Sequence, residues 1–348
     1  MGEPRVAAIV TCFNLGAHLR EAVDSIRAQT LHDVEICVVD DGSTDAATRR
    51  ALAALPDAVR VVRTANSGLP AARNTGVAAT RAPYICAVDA DDVLLPELFE
   101  KSVAALEADP SVAFVSHWLE AFGDQSWSWT PASCDLPGLL AANTVNGAAI
   151  VRRTVLEKVG GWDTAMRNGL EDWDLWITIV ERGFRGIVLP EVLFRYRRRP
   201  DSMSRLSFAA GGHSRIYRHL VEKHAETFAT HLPDLIAARE SEIAALRRRA
   251  EDLDRRLEAE LRPADLRARA DLEEARRCRA AWDQRERAHA ERAALEAHAT
   301  ALEAHAAALT QQVETGRREI LALRESWSWR VTRPMRAAGA LVRPDHRR

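Results

Sequence analysis

Between Gly212 and Gly339 the chain holds one glycine, Gly316, and between Phe228 and Trp327 one aromatic residue, Trp282. A stretch this poor in turn residues, and rich in Ala, Arg, Glu and Leu, satisfies its backbone as long α-helix. Before residue 212, Gly, Pro and aromatics recur every few residues. Two architectures therefore follow one another, and 348 residues are enough for about two domains. The expected boundaries are an α/β domain over 1–215, a linker over 216–233, a coiled coil over 234–325 broken near Pro263, and a basic amphipathic tail over 326–348.

Heptads support the coiled coil. Ile236, Ile243, Ala250 and Leu257 are spaced by seven, and Leu246 and Leu253 fill the intervening positions. A second seam runs through Leu295, Leu302 and Leu309, with His298 and His305 at its weak alternate positions. Two arrangements bury such a stripe: a parallel dimer, hence a homo-oligomer, or a hairpin within one chain folded across Pro263.

In the N-terminal part, apolar β-rich runs alternate with helical patterns. Strands are expected over Val6–Val10, Val34–Val39, Val59–Val62 and Tyr84–Val88. Helices are expected over Ala17–Ala28, Ala46–Leu55, Leu69–Thr80 and Pro96–Ala108, and a further one over Glu171–Arg182. That alternation implies a mostly parallel sheet covered by helices on both faces, with ligands beyond the carboxyl ends of the strands. Residues 146–150 read as a further strand lining a cleft, and residues 121–137 as a loop.

Other classes are excluded on composition. A net charge of −2 argues against nucleic-acid binding. No apolar run is long enough for a transmembrane helix, and Val6–Val10 is too short for a signal peptide, so a cytoplasmic protein is expected. The five cysteines, at 12, 37, 86, 134 and 278, form no CxxC pair.

Polar clusters fall at the strand ends: Thr11-Cys12-Phe13-Asn14, Asp40-Asp41-Gly42-Ser43-Thr44-Asp45, Asn66-Ser67-Gly68 through Ala72-Arg73-Asn74, and Asp89-Ala90-Asp91-Asp92. Asp45 also suits a helix N-cap. Asp89 and Asp91, two residues apart, can aim their carboxylates at one site, and oxygen donors of this kind suit Mg²⁺ or Mn²⁺. Neither a G-x-G-x-x-G fingerprint nor a P-loop is present.

This ordered set resembles family 2 glycosyltransferases of the GT-A fold. The resemblance extends through Gly169-Leu170-Glu171-Asp172-Trp173-Asp174-Leu175-Trp176, ends near Arg195-Tyr196-Arg197 and Asp201-Ser202-Met203-Ser204, and covers roughly three-fifths of the chain. It implies inverting transfer of a hexosyl or related group from a nucleotide-diphosphate sugar (UDP, GDP or dTDP) to an acceptor hydroxyl. By the same resemblance, Thr11 and Phe13 line the nucleobase and ribose pocket, and Asp40 and Asp41 contact the base. Arg73 approaches the base or the diphosphate, Asp89 faces the ribose or metal water, and Asp91 ligates Mg²⁺ or Mn²⁺. Asp172 is the general base, with Glu171, Trp173 and Trp162 on the acceptor side. Phe13 stands where relatives often carry Tyr, which leaves stacking without a hydroxyl.

The tail over 326–348 carries six arginines and one acid, Asp345. Such a segment suits an anionic membrane surface. It resembles a Ser-Trp-Arg-x-Thr-x-Pro segment that follows coiled coils in bacterial surface-polysaccharide glycosyltransferases. A glycan or lipid-linked acceptor and a peripheral place at the inner face of the membrane fit that likeness. The rival readings are a sugar-phosphate nucleotidyltransferase, whose glycine-rich loop is missing after strand one, and a non-catalytic coiled-coil scaffold carrying a relic GT-A domain.

Overall fold

The computed structural model describes residues 2–200, 202, 212–261 and 272–325. They divide into two compact units, one ending at His224 and the other beginning at Ala225.

The first unit is built on a nine-stranded sheet. Its first four strands, β1 (Val6–Cys12), β2 (Val34–Asp40), β3 (Val59–Arg63) and β4 (Tyr84–Asp89), run parallel in the order β3-β2-β1-β4. β1 is the central member, and all seven of its residues are buried. This explains its unbroken apolar sequence, since helices cover both faces. The sheet continues through β8 (Ile150–Arg152), β6 (Val112–Gly123), β9 (Arg185–Arg198) and the short β5 (Val93–Leu94). β8 and β5 are antiparallel to their neighbours, and β7 (Trp127–Trp129) pairs antiparallel with β6.

Four helices follow the expected pattern: α1 (Gly16–Arg27), α2 (Ala46–Ala53), α3 (Leu69–Ala78) and α4 (Leu98–Ala108). Leu19, Val23 and Ile26 form the buried stripe of α1, and Asp45 caps α2 by accepting the Thr48 N–H. α3 lies hard against the sheet at Gly76, where a Cβ would stand 2.2 Å from Ile9 Cγ2. α5 (Leu136–Ala141), α6 (Arg153–Val159), α7 (Glu171–Glu181) and α8 (Gly212–Lys223) complete the unit.

Three local expectations need correction. The stretch before β8 is a turn, closed by the Ala149 N–H donating to Asn146 O, and the strand starts only at Ile150. Small residues there serve a tight bend instead of a pleat. Within the presumed loop 121–137, Trp127–Trp129 is an edge strand. The presumed linker 216–233 lies in α8 and in α9 (Ala225–Leu261), which continues past Pro233.

In the second unit, α9 and α10 (Leu272–Glu325) pair with each other and run antiparallel. Arg292 reaches Asp254 at 2.9 Å, while Arg247, further back along α9, meets Glu303, further forward along α10. Ile243, Ala250 and Leu257 are buried on one helix, and Ala299, Ala306 and Leu309 on the other. This is the pairing that the hairpin arrangement expects. The second seam also shifts by one residue from its expected register. Ala299 and Ala306 occupy the alternate positions, whereas His298 is exposed, because small side chains let the helices approach closely. Pro263 and the basic tail lie outside the described residues, as do the side chain of Cys278 and the segment 203–211.

Candidate active site

The sheet register brings the polar clusters together. Cys12 stands opposite Asp40, and Thr11 opposite Asp89, so the ends of β1, β2 and β4 form one rim. Asn14 has a left-handed backbone (φ 56°), a conformation Asn tolerates. Its Oδ1 accepts the Thr44 and Asp45 N–H groups at 2.8 and 3.2 Å, stitching the loop after β1 to the loop after β2.

The paired aspartates after β2 are spent on that scaffolding. Asp40 Oδ1 accepts the Ser43 N–H at 2.9 Å. Asp41 accepts the Ser67 and Gly68 N–H groups at 2.8 and 2.9 Å, and the Thr64 hydroxyl at 3.2 Å. Both carboxylates are buried. They hold the rim's loops in place. Phe13, by contrast, is 44% exposed and presents a free ring on the rim.

Arg73, on α3, is the hub. Its Nη2 donates to Asp89 Oδ1 at 3.1 Å and its Nη1 to Glu171 Oε1 at 2.7 Å. The residue is 3% exposed, and its Nε has no hydrogen-bond partner. It joins the end of β4 to the start of α7. The Thr11 hydroxyl also donates to Asp89 Oδ1, at 3.1 Å. The neighbouring Asn74 clamps the other side, with its amide exchanging hydrogen bonds with the backbone O and N–H of Trp162 at 2.7 and 2.9 Å.

α7 begins abruptly. Leu170 precedes it in a left-handed conformation (φ 61°), a strained geometry typical of sites where the surroundings dictate the backbone. Glu171 and Asp172 then take opposite situations. Glu171 is buried on Arg73, and burial pushes its carboxyl up to about 7 against the pull of that guanidinium. Asp172 is half-buried. Its Oδ1 accepts the Trp173 N–H at 2.7 Å and its Oδ2 accepts the Asn143 side-chain amide at 3.2 Å. Burial raises its carboxyl above the ordinary range, and Arg73 and these two donors oppose the rise. Of the two carboxylates, only Asp172 is accessible to an incoming hydroxyl.

Gly147 sits beside this carboxylate: a Cβ there would lie 3.9 Å from Asp172 Oδ2 and 3.7 Å from Arg73 Nη2. Its turn is held from below by Asn146, whose amide donates to His117 O at 2.8 Å. Trp162 and Trp173, expected to face an acceptor, are both buried. Arg73 lies over the Trp162 ring, 5.8 Å from its centroid. The Trp173 indole N–H donates to Leu139 O at 2.6 Å, and its ring packs 5.4 Å from Tyr217. Neither ring has a face left for a sugar. Trp176 packs on Phe114 in the core, 4.9 Å between centroids.

Asp91 and Asp92 follow β4. Asp92 is buried and accepts the Arg197 N–H at 2.8 Å. Asp91 Oδ2 accepts from Arg199 Nε at 2.7 Å, and burial beside Asp89 raises its carboxyl despite that partner. Among the described residues no cluster of three His, Cys, Asp or Glu is placed to hold a metal. Two carboxylates do fit a hard divalent ion that completes its shell with water and phosphate. Asp89 Oδ2 and Asp91 Oδ1 carry no hydrogen bond among the described residues. Asn143 and Arg199 were not singled out from the sequence. Asn143 carries no local signal there, while Arg199 closes an arginine run at the end of β9 that had no visible partner.

Residues 7–160 match the profile of the family described as Glycosyl transferase family 2. The putative glycosyltransferase EpsE of Bacillus subtilis (strain 168) is 31% identical over 215 residues, 59% of this chain and 77% of that protein. The glycosyltransferase EpsJ of the same organism is 40% identical over 100 residues, 28% of this chain and 29% of that protein. Among solved structures, TarS 1-349 of S. aureus in complex with UDP superposes with a TM-score of 0.50 at 16% identity, covering 67% of this chain and 78% of that one. Its likeness is one of fold, the GT-A arrangement of a mixed sheet flanked by helices. On the match over residues 7–160 and the 31% identity across 77% of EpsE, the chain belongs to glycosyl transferase family 2 and is a glycosyltransferase of the GT-A fold.

Proposed function

We propose that this protein transfers a sugar, with inversion, from a nucleotide-diphosphate donor to a hydroxyl of a glycan or lipid-linked acceptor in bacterial surface polysaccharide assembly. The observation that carries this reading is Arg73. One buried guanidinium spans from Asp89 at the donor rim to Glu171, beside the accessible carboxylate of Asp172. In this reading a leaving-group site and a base stand on either side of a single residue.

In this mechanism Phe13 offers its exposed ring to the nucleobase. Asp172 takes the proton of the acceptor hydroxyl, the hydroxyl oxygen bonds to the anomeric carbon, and the bond from that carbon to the diphosphate breaks, leaving its electron pair on the diphosphate. Such a base contributes about 10²–10⁴-fold. Asp91 and Asp89 are the residues that would hold Mg²⁺ or Mn²⁺, whose charge would favour diphosphate departure. Incubation with UDP-, GDP- and dTDP-sugars plus Mn²⁺, with release of the nucleoside diphosphate as readout, tests the donor class. Release from one donor family, lost in Asp91→Ala, is expected. No release from any donor in the presence of acceptor extracts would overturn the reading.

Asn143 tunes the base. Its hydrogen bond favours the ionised form of Asp172, so Asn143→Ala should raise the pKa of the carboxyl. Because the base works ionised, the acid limb of the kcat profile should move to higher pH. A limb that stays put or moves lower would contradict this.

No described helix is long and apolar enough to cross a membrane. The cytoplasmic, membrane-peripheral placement rests on the basic composition of residues 326–348 and belongs to the proposal. The oligomer expected from the heptads loses its motive where α9 and α10 bury Ile243, Ala250 and Leu257 within one chain. Light scattering at micromolar concentration should therefore return the mass of one chain, and a mass of two would show that the helices exchange partners between chains.

A further inference from the structure

The end of β9 is the most cationic part of the site and has no part in the mechanism above. Pairing of β9 with β5, Arg195 opposite Val93 and Phe194 opposite Leu94, lays residues 195–199 along the Asp91–Asp92 turn. Two arginines reach this turn, at different atoms. Arg197 is structural: its N–H donates to Asp92 Oδ1, its Nε to the backbone O of Asp91, and its Nη2 pairs with Glu21. Arg199 instead places its Nε 2.7 Å from the carboxylate of Asp91 itself. Both side chains of that pair are largely but not wholly buried, 18% and 11% exposed, so water and ions can reach them.

We propose that Arg199 is a built-in counter-cation at Asp91, which competes with the divalent ion for that carboxylate and, once released, pairs with the donor's diphosphate. This rests on the assignment of Asp91 and a nucleotide-diphosphate donor made above. Two physical points support it. A guanidinium on Asp91 Oδ2 and a divalent cation on Oδ1 would repel each other across one carboxylate, so each weakens the other's hold. The planar N–H fork of arginine matches phosphate as well as it matches carboxylate, so release from Asp91 leaves it suited to the anion bound beside it. The consequence is an order of events: the bare protein takes up a divalent cation weakly, and the nucleotide improves that uptake by drawing Arg199 away.

Arg199→Gln separates this role from a merely structural one, because the two affinities should move in opposite directions. Mn²⁺ alone, followed by electron paramagnetic resonance or calorimetry, should bind the variant about five- to tenfold more tightly than the wild type. Each nucleoside diphosphate of the donor panel, titrated in EDTA, should bind the variant more weakly by a similar factor. Arg199→Lys, which keeps the charge but not the fork, should stay close to the wild type in Mn²⁺ binding and bind the nucleoside diphosphate more weakly. Unchanged or weaker Mn²⁺ binding in Arg199→Gln, with Mn²⁺ binding still abolished in Asp91→Asn, would overturn the counter-cation and leave the metal assignment standing. Unchanged diphosphate affinity in EDTA would overturn the second half of the role. No Mn²⁺ binding to the wild type, with or without nucleoside diphosphate, would remove the metal assignment and this inference together.

Discussion

Asp172→Asn should leave donor binding intact and lower kcat by about 10²-fold or more. The substitution keeps the shape of the side chain and can still accept the Trp173 N–H, while its amide nitrogen forfeits the hydrogen bond from Asn143, and an amide cannot take a proton. Glu171, the adjacent carboxylate, offers no substitute, because it is buried and held 2.7 Å from Arg73 Nη1. Asp172→Asn also removes a negative charge that raises Glu171, so the variant should be at least as stable as the wild type. A kcat within a few-fold of wild type with an authentic acceptor would refute the assignment of the base.

The second large effect is one of stability. Arg73→Met keeps much of the volume but leaves Glu171 buried without its cation. Breaking a buried pair from one side costs about 3–5 kcal/mol. The loss should depend on pH with a definite sign. Glu171 already sits at about 7 in the folded chain, above the value of about 4.3 for a free Glu. Its ionisation therefore opposes folding, and stability falls as pH rises across that interval. Without Arg73 the carboxyl moves higher still, so the deficit of Arg73→Met should be small near pH 5 and large near pH 8. Adding Glu171→Gln should recover much of it. A deficit equal at both pH values and unrelieved by Glu171→Gln, read from denaturant unfolding, would mean that the ion pair is not what Arg73 contributes.

The parallel half of the sheet was legible because β1, β2 and β4 carry their burial in continuous apolar runs and end in polar residues. The far half was not. β6 and β9 are long strands whose residues alternate or mix charge, and their pairing, with its register shifts near His117 and Trp118, is set by neighbours distant in sequence. Trp127–Trp129 is strand only because β6 lies beside it, and Asn146–Ala149 is a turn because His117 and Cys86 hold its polar groups.

The site was legible as a set of residue types and less so as roles. Asp41 and Arg73 were read as ligand contacts. In the fold their charged groups meet Ser67 and Gly68 in one case, and Asp89 and Glu171 in the other. A motif shows which side chains gather but not which of them face one another. The same limit hid Asn143 and Arg199, whose partners lie 29 and 108 positions away. In the helical unit, the choice of Ala299 and Ala306 over His298 and His305 for the seam follows from how closely the antiparallel helices pack, a property of the pair that neither helix reveals alone.

The account stands on one displacement, with Asp172 on the acceptor side and the diphosphate leaving from the opposite face. The most direct test is the anomeric configuration of the first product formed from the active donor, read by proton NMR before mutarotation or hydrolysis. The account predicts a linkage opposite in configuration to the donor's sugar–diphosphate bond. A product of retained configuration would contradict it, since retention requires either a covalent intermediate or attack from the leaving-group face.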